Sequence, residues 1–227
     1  MQSHQNPGFL IAIEGIDGAG KTTQAHLVQA ALQARNLPVI RSKEPTTGKW
    51  GQILRDSALT GRLSLEEEVE AFIKDRHEHV TSVIDPALEA GHIVIVDRYY
   101  FSNMAYQGAR GYDVELLRVR NEAIAPEPDL LVILDIEPKM GLERIRLRGD
   151  RANHFEQSGQ LSKIRQIFLS IAKPYKYVLD ARLSAEEITT LIVRQLVVLY
   201  TEKIARSNLS NKEQLSATLK LFGGSSI

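Results

Sequence analysis

Residues 15–22 read Gly-Ile-Asp-Gly-Ala-Gly-Lys-Thr, which matches the spacing G-x-x-x-x-G-K-[ST] with Gly15, Gly20, Lys21 and Thr22. Glycines at these intervals let backbone N–H groups converge on phosphate oxygens with no Cβ in the way, and a helix starting near Lys21 adds its positive end. Lys21 then reaches the β- and γ-phosphates of a nucleotide, and Thr22 supplies a hydroxyl to magnesium. Gly15, Ile16, Asp17, Gly18, Ala19, Gly20, Lys21, Thr22 and Thr23 are the expected ATP-binding turn. A second segment, Ile93-Val94-Ile95-Val96-Asp97-Arg98-Tyr99, ends an apolar run on a carboxylate that can order the magnesium shell, directly or through water. Arg98 stands where a hydrolase would keep an acid to orient water. A cation there bridges donor and acceptor phosphates, or closes a salt bridge at the strand end.

Two further basic groups have usable spacing. Phe72 and Arg76 are four apart, so a helix presents them on one face, either as an aromatic plate beside a guanidinium or as core beside surface. Arg144, Arg148 and Arg151 follow i, i+4, i+7, and with Arg146 they form a run that can close over phosphates or be a solvated helix. His77 and His79, two apart, point in different directions on a helix, which argues against a shared metal and leaves both surface or structural.

The elements that must carry these residues alternate. Apolar runs at 9–13, 38–41, 93–96, 130–134 and 177–179 read as buried parallel strands. Helical periodicity occupies 22–35, 65–90, 113–124, 138–148, 160–173 and 184–203. The expected fold is α/β, a parallel sheet of five strands between helical layers, with ligands at the strand carboxyl ends where Glu14, Asp97, Asp135 and Asp180 fall. One catalytic domain over 1–203 is expected, with a lid at about 144–156 and a tail at 204–227 carrying at most one helix, at 209–221.

Composition sets limits. The 227 residues hold 28 Lys+Arg and 28 Asp+Glu, so no global charge draws nucleic acid, and any anion site is locally built. No cysteine is present, which excludes disulfides and thiolate catalysis. Neither a signal-peptide segment nor a membrane-length apolar run occurs, and a cytoplasmic location is expected.

Taken in order, these residues resemble the thymidylate kinase family of P-loop nucleoside-monophosphate kinases over roughly residues 8–200, a span that one catalytic domain would fill. The resemblance rests on Ile13 to Gln24, Lys43-Glu44-Pro45, Phe72 to Arg76, Asp97-Arg98-Tyr99, Ser102-Asn103, Ala105 to Gly108, Pro128-Asp129-Leu130, Leu134-Asp135, the arginine run and Phe155-Glu156. It implies a three-layer P-loop nucleoside-monophosphate kinase fold with an arginine-rich lid, and magnesium-dependent transfer of the ATP γ-phosphoryl group to dTMP. In the implied site, Phe72 stacks on thymine, Arg76 and Arg98 hold the acceptor phosphate, and Asn103, Tyr106 and Gln107 lie along base and sugar. Lys43 belongs to the acceptor site, Asp17 faces the deoxyribose 3′-hydroxyl, and Lys21, Arg98, Arg144, Arg148 and Arg151 supply the catalytic cations. A homodimer is implied as well. The alternatives are another acceptor such as dUMP, CMP or a nucleoside, and a P-loop switch or regulatory ATPase.

The chain departs from the family pattern in three places. Lys43 replaces an arginine, Thr46 to Gly51 differs from the usual glycine-rich pattern, and Ala152-Asn153-His154 separates Asp150-Arg151 from Phe155-Glu156.

Overall fold

The computed structural model describes residues 7–147, Gly149 and 158–207. Five strands, β1 (Phe9–Glu14), β2 (Val39–Lys43), β3 (Ile93–Asp97), β4 (Leu130–Asp135) and β5 (Lys176–Asp180), form one parallel sheet in the order β2-β3-β1-β4-β5. The sequences FLIAIE, IVIVD and LLVILD are buried almost throughout because helices cover both faces, so they carry no polar alternation. β1 is the central strand, and its register with β3 and β4 sets Ile13 beside Asp97 and Glu14 beside Ile133. The chemistry at residues 14–22 therefore starts from the middle of the row of strand ends.

The helices are α1 (Lys21–Gln33), α2 (Lys49–Thr60), α3 (Leu65–His79), α4 (Asp85–Glu89), α5 (Tyr100–Ala109), α6 (Val114–Glu122), α7 (Pro138–Leu147), α8 (Ser158–Ser170) and α9 (Ala185–Ser207). A capping box starts α3: Ser64 Oγ accepts from Glu67 N at 3.3 Å, and Glu67 accepts from Ser64 N at 3.0 Å.

Four features differ from the sequence-based expectation. The single helix expected over 65–90 is broken by a π-helical turn at Val80–Ile84, because Pro86 cannot donate and its ring crowds the carbonyl of Ser82. The stretch Lys49–Thr60, read as loop at its start, is helical. Tyr100–Ala109, outside the helices expected from periodicity, is a helix with most residues buried. Finally, α9 continues past 203 to Ser207. The helix expected at 209–221 lies outside the described residues.

Candidate active site

Between β1 and α1 the chain turns through Gly15 at φ 142° and Gly18 at φ 81°, left-handed values that favour glycine. A Cβ on Gly18 would lie 2.2 Å from the carbonyl oxygen of Gly141 in α7, so the loop can pack this closely only without a side chain there. Lys21 Nζ donates to the carbonyl oxygens of Gly15 and Ile16, both at 2.8 Å, and folds back over the loop. Burial, followed by the charge of Arg98, pushes the Lys21 ammonium well below its ordinary value.

Thr22 Oγ1 donates to Asp97 Oδ2 at 2.5 Å, while Asp97 Oδ1 is buried with no hydrogen-bond partner among the described residues. Lys43 Nζ stands 3.6 Å from Asp97 Oδ2. A hydroxyl beside an incompletely satisfied buried carboxylate is a donor set that fits Mg²⁺, a hard cation that keeps much of its shell as water and phosphate. No group of three His, Cys, Asp or Glu able to hold a metal occurs among the described residues.

Beside this loop opens a cavity of about 150 Å³ lined by Asp17, Glu44, Pro45, Phe72, Arg76, Arg98, Tyr99, Ser102, Asn103, Tyr106 and Gln107. Its near wall is an ion pair. Arg98 Nη2 donates to Asp17 Oδ1, the Tyr106 hydroxyl donates to Asp17 Oδ2 at 3.0 Å, and the Arg98 guanidinium lies 5.2 Å from the Tyr106 ring centre. Burial alone would raise the Asp17 carboxyl, but Arg98 and then Lys21 outweigh it and hold it at about 2. Arg98 adopts φ 69°, rare for a bulky residue, and its N–H donates to Ile13 O at 3.1 Å.

The far wall is a buried polar network. Arg76, 1% exposed, donates from Nε (3.0 Å) and Nη2 (2.5 Å) to Glu44 Oε2, and from Nη1 to Asn121 Oδ1. Asn121 Nδ2 donates to Asn103 Oδ1 at 3.0 Å, and Asn103 Nδ2 to Gln107 Oε1 at 2.8 Å. Gln107 Nε2 is buried without a partner among the described residues, a donor left for whatever fills the cavity. Phe72 lines the cavity next to Arg76, as their four-residue spacing on α3 requires. The residues expected at an acceptor site, namely Asp17, Phe72, Arg76, Arg98, Asn103, Tyr106 and Gln107, thus meet around one space, while Lys43 stands outside it beside Asp97.

The sequence pattern of the thymidylate kinase family matches residues 13–192. The chain belongs to that family. It is 48% identical over 217 residues to a thymidylate kinase of Xanthomonas euvesicatoria pv. vesicatoria, covering 96% of this chain and 95% of that one. It is 54% identical over 181 residues to a thymidylate kinase of Xanthomonas oryzae pv. oryzae, covering 80% and 79%. A thymidylate kinase of Akkermansia muciniphila is 47% identical over 200 residues, 88% of this chain and 97% of that one.

In this member of the thymidylate kinase family, the arginine run is partly placed. Arg144 Nη2 donates to the carbonyl oxygen of Ala181 at 2.8 Å, just past the end of β5, and Arg146 is exposed. Arg148, Arg151 and Phe155-Glu156 lie outside the described residues. Asp135 and Asp180 are engaged by other arginines: Arg165 grips Asp135 at 2.6 and 3.0 Å, and Arg182 grips Asp180 at 2.6 Å.

Three contributors were not identified from sequence. Glu14, at the end of β1, accepts from Tyr99 N (2.7 Å), Ser102 N (2.9 Å) and Ser102 Oγ (2.6 Å), fixing the start of α5. Burial pushes its carboxyl above the ordinary value against these hydrogen bonds. Glu44 and Asn121 are the partners of Arg76. Glu14 gave a signal as a carboxylate ending an apolar run, and Glu44 as part of Lys43-Glu44-Pro45; Asn121 gave none.

Proposed function

We propose that the protein transfers the γ-phosphoryl group of ATP to dTMP, giving dTDP and ADP for dTTP synthesis. The observation that carries this reading is the shared Asp17–Arg98 wall: a residue of the nucleotide-binding turn and a residue of the neighbouring cavity touch, so ligands in the two sites meet end to end. ATP lies over residues 15–23 with Lys21 at its β- and γ-oxygens. Thr22 and Asp97 would hold Mg²⁺, which when bound would screen charge on the phosphates.

The two cavity arginines divide the acceptor. Both were expected at its phosphate. Arg98, paired with the turn, suits that phosphate. Arg76, committed to Glu44 and linked through Asn121 to Asn103, stands with the amides and suits the edge of the base. Phe72 stacks on that base, while Tyr106 and Asp17 border the sugar. Arg98, Arg144, Arg148 and Arg151 are the proposed transition-state cations with Lys21. No general base is needed, because the acceptor oxygen is already anionic and attacks once repulsion is screened and geometry held.

No helix among the described residues is long and apolar enough to cross a membrane, and a cytoplasmic location fits that. A homodimer is proposed, with Leu116 (47% exposed) and Val119 (51%) giving α6 an apolar patch for it. A panel of dTMP, dUMP, CMP and thymidine with ATP and magnesium tests the activity. dTMP should be preferred, with little phosphate release when no acceptor is present. Faster turnover of CMP or thymidine, or acceptor-independent hydrolysis at the full rate, would refute the reading.

A further inference from the structure

We infer that His79, which does not line the acceptor cavity, is a positioning residue that aims Arg76 into it through Glu44. This rests on the proposed acceptor role of Arg76. His79 closes α3 three residues after Arg76 and is 3% exposed. Its Nδ1 lies 3.0 Å from Glu44 Oε1 and its Nε2 2.5 Å from Ser42 Oγ on β2. An ionised carboxylate only accepts, so Nδ1 carries the proton and Nε2 accepts from the serine hydroxyl.

The consequence lies in how Glu44 is shared. Both Arg76 hydrogen bonds to Glu44 go to one oxygen, Oε2, while His79 holds the other. An arginine and a carboxylate left to themselves prefer two parallel hydrogen bonds, one to each oxygen. Without His79 the carboxylate is free to twist into that arrangement, and the guanidinium turns with it. Three of the five guanidinium N–H groups are spent on Glu44 and Asn121, which leaves two on a guanidinium that lines the cavity.

The order Ser42, His79, Glu44 also has the form of a nucleophile, a base and its orienting acid. Glu44, however, already receives two hydrogen bonds from a guanidinium, so it is a poor stabiliser of an imidazolium, and the chain of contacts runs on to Arg76.

Asn and Gln at position 79 separate the two contacts. An asparagine amide falls near Nδ1 and can still donate to Glu44, whereas a glutamine amide falls near Nε2 and reaches Ser42 instead. With the full chain, His79→Gln should raise the KM for dTMP about tenfold, the worth of a hydrogen bond to a charged group. His79→Asn should stay within about twofold. The KM for ATP should be unchanged in both.

The inference is overturned if Gln and Asn behave alike, if His79→Gln retains the wild-type KM for dTMP, or if the KM for ATP follows that for dTMP. Should His79→Gln not fold, Ser42→Ala takes its place: it frees the ring to turn and should raise the KM for dTMP about threefold, and no change would count against the inference. Arg76→Lys separates the two levels. If it leaves the KM for dTMP untouched, the acceptor role of Arg76 is wrong. If it raises that KM while His79→Gln does not, only the role of His79 fails.

Discussion

Replacing Glu44 by glutamine keeps the volume of the side chain, removes one charge and turns one of the two acceptor oxygens into a donor. Its partner Arg76 is 1% exposed, so the variant leaves a guanidinium with no counter-ion and no water. Breaking a buried pair from one side costs about 3–5 kcal/mol. Asn121 Oδ1 and the Tyr99 ring, 5.7 Å from the guanidinium carbon, return part of this, which places Glu44→Gln near the lower end at about 3 kcal/mol. For a chain of this length that is a fall in Tm of roughly 6–12 °C. Arg76→Met leaves a carboxylate instead, which escapes part of the cost by taking a proton and still has His79. The double variant leaves neither charge and should cost less than the sum of the singles by about 2 kcal/mol or more. Urea unfolding at neutral pH, followed by circular dichroism and by the fluorescence of Trp50, the one tryptophan, measures all three. Trp50 packs 4.5 Å from Lys74 of α3, the helix that carries Arg76, and so reports on the relevant element. Additive losses would show that the pair is not the coupled buried unit described above.

Lys21→Ala should lower kcat by at least ~10², the cost of one oriented transition-state contact, while melting shows a folded chain; normal turnover would remove Lys21 from the mechanism. Phe72→Ala should raise the KM for dTMP by about five- to tenfold through lost stacking and leave that for ATP unchanged, and equal effects would make Phe72 a packing residue. Asp17 is held at about 2 against an ordinary 3.8, a depressed carboxyl, so its contribution is present above 3.8 and is lost as pH falls towards 2. That contribution is about 2 kcal/mol, and the stability of Asp17→Asn should be flatter than wild type by that amount across this window. Equal acid slopes in urea titrations of the two proteins would contradict the Asp17–Arg98 pairing.

The parts legible in the sequence are those set by local spacing. Gly15 to Thr22 announce the turn because backbone geometry demands glycine there, and FLIAI, IVIV and LLVIL announce strands because both faces are covered. Phe72 and Arg76 follow from helical geometry alone. α5 was missed for a physical reason: it is short, and seven of its ten residues are buried with the amides Asn103 and Gln107 among them, so polar side chains occupy part of the face that a periodicity argument expects to be apolar. The start of α2 was obscured by Gly48 and Gly51, which read as loop; a Cβ on Gly51 would meet the carbonyl oxygen of Thr46 at 1.9 Å, so close packing rather than a turn selects glycine there. Glu44 and Asn121 stand 32 and 45 residues from Arg76, and no local pattern links groups that only the tertiary fold brings together.

Arg76 and Arg98 looked equivalent in the sequence, and each proves to hold a carboxylate. Their burial separates them. The Arg76–Glu44 side chains are 1% and 3% exposed, and opening that pair would strand two charges away from water. The Arg98–Asp17 side chains are 20% and 15% exposed at the mouth of the phosphate-binding turn, where an incoming phosphate can take the place of the carboxylate on the guanidinium without leaving either charge buried and bare. Once released, Asp17 keeps the Tyr106 hydroxyl and has its other oxygen free to accept from a sugar hydroxyl. A neutral nucleoside brings nothing to exchange for Asp17, so the Arg98–Asp17 pair should also discriminate against unphosphorylated acceptors.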